Sequence, residues 1–224
     1  MIKRYFITGT DTSVGKTIVS STLLKIANKS GYKSIGYKPV ATGGILTNIG
    51  WRNNDALMLQ SNSKIFLSYN EINPYFFCES TSPNIISTYK NKPIHFNKLS
   101  SGLRNLEQYS NWILIEGAGG WFTPLSLQHT FADWVIQEKL QIILVVGMKL
   151  GCINHALLTQ SAILKSGLSL VGWVCNNITI PGKWYTEYLE TLNHMILAPL
   201  LGKIPYFVNI NNVSLIPYLD INKI

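Results

Sequence analysis

Apolar and polar positions alternate along the chain in two distinct periods. Short, nearly continuous apolar runs are typical of strands covered on both faces, and they occur at residues 4–8, 34–40, 112–116, 141–147, 168–177 and 200–207. The second of these is broken by Pro39. Apolar residues spaced three and four apart predict helices at residues 16–31, 54–60, 96–110, 130–140, 154–167 and 183–195. This alternation predicts an α/β fold, with a mostly parallel, doubly wound sheet flanked by helices in a single domain of residues 1–224.

Residues 61–95 follow neither period. Pro74, Pro83 and Pro93 interrupt them, so we expect loops with short helical pieces. A long irregular stretch inside a compact domain is often a substrate region. Ligands of doubly wound sheets bind at the carboxyl ends of the strands, and the motifs that follow the strands are therefore the candidates for a site.

Composition narrows the class of protein. Hydrophobic residues make up 46 % of the 224 residues, enough for a full core. The start of the chain reaches Gly9 too soon for a signal peptide, and no apolar run approaches the roughly 20 residues of a membrane helix. Cys78, Cys152 and Cys175 lack the spacing of a zinc site or a disulfide framework. We therefore expect a reduced, cytoplasmic protein without a membrane partner.

The net charge of +8 raises the question of an acidic partner. The lysines are scattered along the chain, and no helix-turn-helix, RNP or zinc-finger pattern accompanies them. The sequence therefore predicts no nucleic-acid partner. Binding of phosphorylated small molecules, or a compositional bias toward Lys and Asn, explains the charge as well.

The segment GTDTSVGKT, residues 9–17, follows a predicted strand and begins a predicted helix. It is one residue longer than the phosphate-binding pattern Gly-x4-Gly-Lys-Ser/Thr, because five residues separate Gly9 from Gly15. Backbone N–H groups at a helix start favour a phosphate, Lys16 can reach the β- and γ-phosphates, and Thr17 can offer a hydroxyl to Mg²⁺. The context predicts a P-loop fold that binds a nucleotide, with an ordinary strand–turn–helix as the alternative.

Three charged side chains at strand or helix ends are candidates for the same site. Glu116 ends an apolar strand before Gly-Ala-Gly-Gly and is a candidate Mg²⁺ ligand, directly or through water. Asp55 is a second candidate, although on its own a helix cap or first-turn charge explains it better. Lys38 can neutralise charge on a transferring phosphoryl group, and a surface lysine is the alternative.

Two further motifs follow strands. The segment KLGCIN, residues 149–154, opens a helix whose N–H groups suit a carboxylate. Asn176 and Asn177 end another strand, where their amides suit the edge of a base. Plain helix or strand capping explains the two asparagines equally well.

Together the motifs resemble one family. GTDTSVGKT, GYKPVATG, NPYFF…TSP, EGAGGWFTPL, VVGMKLGCINHALLT and GWVCNN occur in this order between residues 4 and 207 and resemble the dethiobiotin synthetases. The resemblance implies ATP- and Mg²⁺-dependent carboxylation of 7,8-diaminopelargonic acid with CO2. A carbamate and a carbamic–phosphoric anhydride would precede closure of the ureido ring, with release of ADP and phosphate. It also implies that Thr-Asp-Thr is this family's form of the loop.

The resemblance implies a role for each matching residue. Lys38 would be the catalytic residue. Substrate contacts would come from Thr12, Lys16, Lys38 and Thr42 and, across a homodimer interface, from Cys152, Ile153, Asn154 and Tyr188. Thr17, Asp55 and Glu116 would bind Mg²⁺. Contacts with ATP would come from Ser13, Val14, Gly15, Lys16, Thr17, Ile18, Asp55, Glu116, Gly117, Ala118, Gly119, Asn176, Asn177, Pro205, Tyr206, Phe207 and Asn212.

At three of these positions the chain differs from the family that it resembles. Ser13 stands where close relatives carry Glu, Thr42 where they commonly carry Ser, and Asn212 near an acidic nucleotide contact. A rival class is the nucleotide-switch ATPases of partition and cell division, which bind partners or surfaces. These carry an extra Lys near the start of the loop, where this chain has Asp11, and an acid cannot replace that cation.

Overall fold

The computed structural model describes residues 2–209 and 213–224. Its strands are β1 (Lys3–Gly9), β2 (Ser34–Tyr37), β3 (Val40–Thr42), β4 (Ile45–Thr47), β5 (Gly50–Arg52), β6 (Tyr75–Phe77), β7 (Trp112–Glu116), β8 (Gln141–Gly147), β9 (Leu170–Asn176) and β10 (Leu200–Ile204). Its α-helices are α1 (Lys16–Lys29), α2 (Asn54–Asn62), α3 (Tyr69–Ile72), α4 (Pro83–Tyr89), α5 (Phe96–Glu107), α6 (Phe131–Gln137), α7 (Cys152–Lys165) and α8 (Tyr185–Met195).

Six strands form a central sheet in the order β10-β9-β8-β1-β7-β2. Every pairing in it is parallel. The β1 strand lies in the middle and is flanked by β7 and β8, so its last residues face the ends of both neighbours. The predicted α/β fold with a parallel, helix-flanked sheet is confirmed.

Amphipathic helices cover the sheet. In α5, Leu99, Leu103 and Leu106 are buried at helical spacing, which is why this segment packs as one apolar stripe. The inner face of α1 is also buried. The core thus lies between the sheet and its helices, and the carboxyl ends of the strands form an edge open to ligands.

The predicted strand at residues 34–40 is wrong beyond Tyr37. The main-chain N–H of Lys38 bonds the carbonyl of Ile72 at 2.9 Å instead of continuing the sheet. Pro39 has no N–H to donate, and the chain leaves the central sheet there. Val40–Thr42 then pairs with Tyr75–Phe77 in a separate two-stranded sheet.

Several short elements were not predicted at all. The β4–β5 hairpin occupies residues 45–52, and β6 lies within the irregular stretch 61–95, which otherwise contains the expected short helices. Near the end of the sequence, Leu215, Leu219 and Ile221 pack in the main core. Strands of three residues are too short to show a period, which explains why the pattern missed them.

Within the described residues no helix is both long and apolar enough to cross a membrane.

Candidate active site

The phosphate loop, residues 9–17, joins β1 to α1 and rests against the end of β8. The Thr10 N–H donates to the carbonyl of Val145 at 3.0 Å, and the Thr10 hydroxyl accepts from the N–H of Gly147 at 3.3 Å. Gly15 caps α1 with a φ of 89°, a left-handed conformation that favours glycine. The loop is therefore held open at the start of a helix, where N–H groups are available to an anion.

Asn176, at the end of β9, supports the loop from below. Its Nδ2 donates to the carbonyl of Val14 at 2.8 Å, and Val14 itself is fully buried. A Cβ added to Gly15 would lie 2.1 Å from the same Nδ2 atom. The glycine is thus required both by its backbone angle and by the close approach of Asn176.

A cleft of about 480 Å³ opens beside the loop. Most of the predicted phosphate and diamine contacts line it, namely Thr12, Ser13, Gly15, Lys16, Thr17, Ile18, Lys38, Thr42, Asp55, Ala118 and Gly119. Asn54, Met58 and Ser80 line it as well and were not predicted. Met58 lies three residues after Asp55 on α2 and four after Asn54, so helical spacing could have placed these side chains together, whereas Ser80 comes from a loop that carries no signal.

Lys38 is buried at the centre of a charge cluster. Its Nζ donates to Glu116 Oε1 at 2.7 Å, to Asp55 Oδ2 at 3.2 Å and to the carbonyl of Gly117 at 3.1 Å. Burial opposes the charge of this 3 % exposed lysine, but the two carboxylates outweigh burial and raise its pKa. Lys38 is therefore a fixed ammonium group at the edge of the cleft, and the alternative of a surface lysine is wrong.

Glu116 and Thr17 meet at the foot of the loop. The Thr17 hydroxyl donates to Glu116 Oε1 at 2.9 Å. Glu116 is fully buried, and its Oε2 has no hydrogen-bond partner among the described residues. A buried carboxylate oxygen without a partner is costly unless a cation or donor completes it, so these groups fit a hard cation such as Mg²⁺.

Asp55 is not the cap of α2. That role belongs to Asn53, whose side chain accepts from the N–H of Ala56 at 3.1 Å. Burial opposes the charge of Asp55, yet the ammonium group of Lys38, which donates to Asp55 Oδ2, outweighs burial and lowers the pKa of the carboxyl group. Asp55 is thus an ionised group in the cleft, close to both Lys38 and Thr17.

Lys16 faces the same cleft with a weaker set of partners. Its Nζ donates to the main-chain carbonyl of Asp11 at 3.1 Å, and the residue is 8 % exposed. Burial, together with the nearby charge of Lys38, lowers the pKa of Lys16 to about 8. The hydrogen bond of Lys16 goes to a neutral carbonyl group, so an anion bound in the loop would be a negatively charged partner for its ammonium group.

The start of α7 forms a separate region. Helix α7 begins at Cys152, two residues earlier than predicted. In its first turn Cys152 is buried, Ile153 is partly buried and Asn154 is exposed. Tyr188 lines a second cavity of about 300 Å³, together with Asn177. None of the four predicted interface contacts lines the phosphate cleft, as the described residues define it.

The predicted base contacts lie beyond β9 and β10. Asn177 is buried; its N–H donates to the carbonyl of Ile204 at 3.0 Å and its Nδ2 to the Tyr185 hydroxyl at 3.3 Å. Residues 205–207 follow β10 directly: Pro205 and Phe207 are partly buried and Tyr206 is exposed. Asn212 lies outside the described residues.

A parallel sheet with a phosphate loop after its central strand defines the class of P-loop nucleotide-binding proteins. A ParA family ATPase from Chlorobium tepidum TLS shares this fold with a TM-score of 0.59 at 12 % identity, over 99 % of this chain and 92 % of that chain. The MinD cell division protein of Aquifex aeolicus gives a TM-score of 0.57 at 12 % identity, over 93 % and 84 %. The family model described as "AAA domain" matches residues 3–214.

Curated relatives are far closer in sequence than these structures. The chain is 56 % identical over 222 residues to the ATP-dependent dethiobiotin synthetase BioD 1 of Escherichia coli (strain K12), covering 99 % of both. It is 59 % identical over 210 residues to the BioD of Yersinia pestis bv. Antiqua (strain Angola), covering 94 % of this chain and 88 % of the relative. The chain belongs to the dethiobiotin synthetase family.

Proposed function

We propose that residues 1–224 act as one ATP-dependent dethiobiotin synthetase, a ligase that carboxylates 7,8-diaminopelargonic acid and closes its ureido ring. The observation that carries the proposal is the pairing of the buried Lys38 with Glu116 and Asp55, in the same cleft as Lys16. Two lysines at one phosphate loop suit a reaction in which both a carbamate and a γ-phosphate carry negative charge. Full-length relatives of this name support the same reading.

The reaction needs positioning more than covalent help from the protein. One neutral amine attacks CO2 and becomes a carbamate, losing a proton. A carbamate oxygen then takes the γ-phosphoryl group of ATP, giving a carbamic–phosphoric anhydride and ADP. The second amine attacks the carbamoyl carbon, and phosphate leaves as the ring closes. Lys38 and Lys16 would hold the anionic groups in line, and Thr12 and Thr42 line the same cleft as further substrate contacts.

Thr17, Asp55 and Glu116 are the groups that would hold Mg²⁺. When bound, the ion would neutralise the phosphate oxygens. The described residues contain no group of three or more His, Cys, Asp or Glu side chains suited to a metal. That arrangement fits an ion held by few protein groups and by the phosphates themselves, as is usual for Mg²⁺ in ATP sites.

The rest of the nucleotide would extend from the loop toward β9 and β10. Gly117, Ala118 and Gly119 would allow close approach of the main chain. The base would lie against Asn176, Asn177 and residues 205–207, with Asn212 beyond them. Ser13, whose φ is 58°, would contact the ATP from within the phosphate loop.

The substrate carboxylate would be bound by the start of α7 in the partner protomer of a homodimer. Four apolar side chains near this helix are exposed in the single chain: Leu150 (88 %), Leu158 (62 %), Ile180 (75 %) and Trp184 (58 %). Such exposure is typical of an interface between subunits. The first-turn N–H groups of Cys152, Ile153 and Asn154 would bind the carboxylate, with Tyr188 beside them. Sedimentation velocity should give a dimer.

The proposal places the enzyme in the cytoplasm, with small molecules as its ligands and no nucleic-acid or membrane partner. Its test is phosphate release from MgATP with and without 7,8-diaminopelargonic acid and bicarbonate, with the product identified by mass. Diamine-dependent release with formation of dethiobiotin is the expected result. Phosphate release that does not depend on the diamine would contradict the proposal and favour a nucleotide-switch ATPase that binds a partner.

A further inference from the structure

Asp11 belongs to the phosphate loop, and its side chain bonds both the loop itself and Lys149, which lies just before the start of α7. Its Oδ1 accepts from the N–H of Thr12 at 2.7 Å, and its Oδ2 accepts from Lys149 Nζ at 2.6 Å. These two contacts satisfy both carboxylate oxygens and lower the pKa of Asp11, the Lys149 hydrogen bond being the larger cause. Asp11 is therefore held as a charged group at the mouth of the loop.

The main chain of the same two residues carries the connection further. The carbonyl of Asp11 accepts from Lys16 Nζ at 3.1 Å. The carbonyl of Lys149 accepts from the N–H of Cys152, the first residue of α7, at 3.1 Å. A continuous series of hydrogen bonds thus runs from α7 through Lys149 and Asp11 to Lys16.

We propose that Asp11 and Lys149 form a positioning pair that orients the Asp11 carbonyl and, through it, the ammonium group of Lys16. Lys149 is anchored to α7 and fixes the Asp11 side chain, which in turn fixes the loop between Asp11 and Lys16. The proposal rests on the proposed function for the identity of the reaction, and neither residue of the pair needs to touch the substrate.

Because both side chains of the pair are partly exposed, an effect of its loss on activity can be distinguished from an effect on stability. The side chains of Lys149 and Asp11 are 36 % and 44 % exposed, and ion pairs in such positions add little to stability. Lys90 and Glu79 form a matched pair with the same 2.6 Å distance and exposures of 45 % and 46 %. Substitutions in the two pairs should affect unfolding alike, and only those in the Asp11–Lys149 pair should affect turnover.

The experiment compares wild type with Asp11→Asn, Lys149→Met, the double variant, Lys149→Arg and the control Lys90→Met. We expect each neutral single variant to lower kcat about tenfold through misorientation of Lys16, with the KM for the diamine changed less than about threefold. The double variant should be no worse than the singles, because both break one interaction. Lys149→Arg should retain most activity, and all variants should melt within about 2 °C of wild type.

Hydrogen–deuterium exchange of a peptide covering residues 10–17 gives a second readout that needs no turnover. Exchange should be faster in Asp11→Asn and Lys149→Met and unchanged in Lys90→Met. If wild type lacks diamine-dependent turnover, the proposed function fails while this measurement still tests the pair. Additive losses in the double variant, unchanged exchange, or an effect of Lys149→Met on the KM for the diamine alone would overturn the positioning role.

Discussion

The two sides of the phosphate loop are supported in different ways. On the side of β2 and β7, Lys38, Glu116 and Asp55 form an ionic cluster in which Lys38 and Glu116 are buried. On the side of β8 and β9, the loop is supported mainly by main-chain hydrogen bonds and by the amide of Asn176, with the partly exposed Asp11–Lys149 pair beside them.

One side of the loop thus depends chiefly on balanced buried charges, and the other chiefly on close packing. Buried ions respond to changes that unbalance them, because an uncompensated charge in the interior is costly. Amide and glycine contacts respond to added volume, because the packing leaves no room. Substitutions on the two sides should therefore fail for different reasons.

Lys38→Met should have the largest effect. Removing the ammonium leaves Glu116 buried without its cation, at a cost of about 3–5 kcal/mol in unfolding free energy. It also removes a charge that stabilises transferred groups, and ring closure should fall by roughly 100-fold to 1000-fold. Urea unfolding and dethiobiotin formation measure the two effects.

The double variant Lys38→Met/Glu116→Gln separates the two losses. It should recover stability, because no unpaired charge remains buried: Asp55, which also loses Lys38, is 38 % exposed. Activity should stay lost. Lys64→Met, at an exposed lysine, is the control and should behave as wild type. Full activity of Lys38→Met would contradict the catalytic assignment.

Gly15→Ala tests the shape of the opposite side. The new methyl group would clash with Asn176 Nδ2, and alanine would be held at a φ of 89°. We expect a loss of about 2–4 kcal/mol in unfolding free energy. Affinity for a nucleotide should fall as well, measured by calorimetry.

Gly31→Ala is the matched control, since Gly31 has a φ of 86° and a Cβ there meets no atom within 4 Å. Relief of the Gly15→Ala defect by Asn176→Ala would support the clash, because the second change removes the blocking amide. Equal destabilisation by Gly15→Ala and Gly31→Ala would contradict it.

How much of this arrangement could be predicted from the sequence depends on chain distance. Gly15, Lys16 and Thr17 are contiguous and match a known pattern, so the loop was placed correctly. The rule that strand ends share one edge also brought Lys38 and Glu116 to the same site. Their pairing follows from this rule, but the 2.7 Å distance does not.

Other contacts had no sequence signal. Asp11 and Lys149 are 138 residues apart, and nothing in either segment indicates the partner. Ser80 reaches the cleft from an irregular loop. Pro39 signals the break after β2, but nothing in the sequence indicates that Val40–Thr42 then pairs with β6. Periodicity reports which face of an element is buried but not what lies against it.

Asp55→Asn should have a smaller effect on the ionic side. Asp55 is 38 % exposed and shares Lys38 with Glu116, so stability should change little. The Mg²⁺ concentration for half-maximal activity should rise about tenfold, because one oxygen of the proposed set loses its charge. Glu79→Gln, an exposed carboxylate also paired with a lysine, is the control. An unchanged Mg²⁺ requirement would argue against the metal assignment at Asp55.

The smallest expected effect comes from the protonation of Lys16, whose pKa of about 8 contrasts with the raised pKa of Lys38. Between pH 8 and 10.5 Lys16 is protonated in the unfolded chain but largely neutral in the folded one, so its titration makes the free energy of unfolding rise with pH. Lys38 acts in the opposite direction: the stability that its charge adds is lost as pH rises through its raised folded pKa. Affinity for a non-hydrolysable ATP analogue should fall about tenfold between pH 7 and pH 9, as Lys16 loses its proton in the free enzyme. Lys16→Arg stays charged across this range and should show a flat profile, whatever its absolute affinity. Calorimetry at each pH measures both, and an equal decline in the arginine variant would assign the titration to another group.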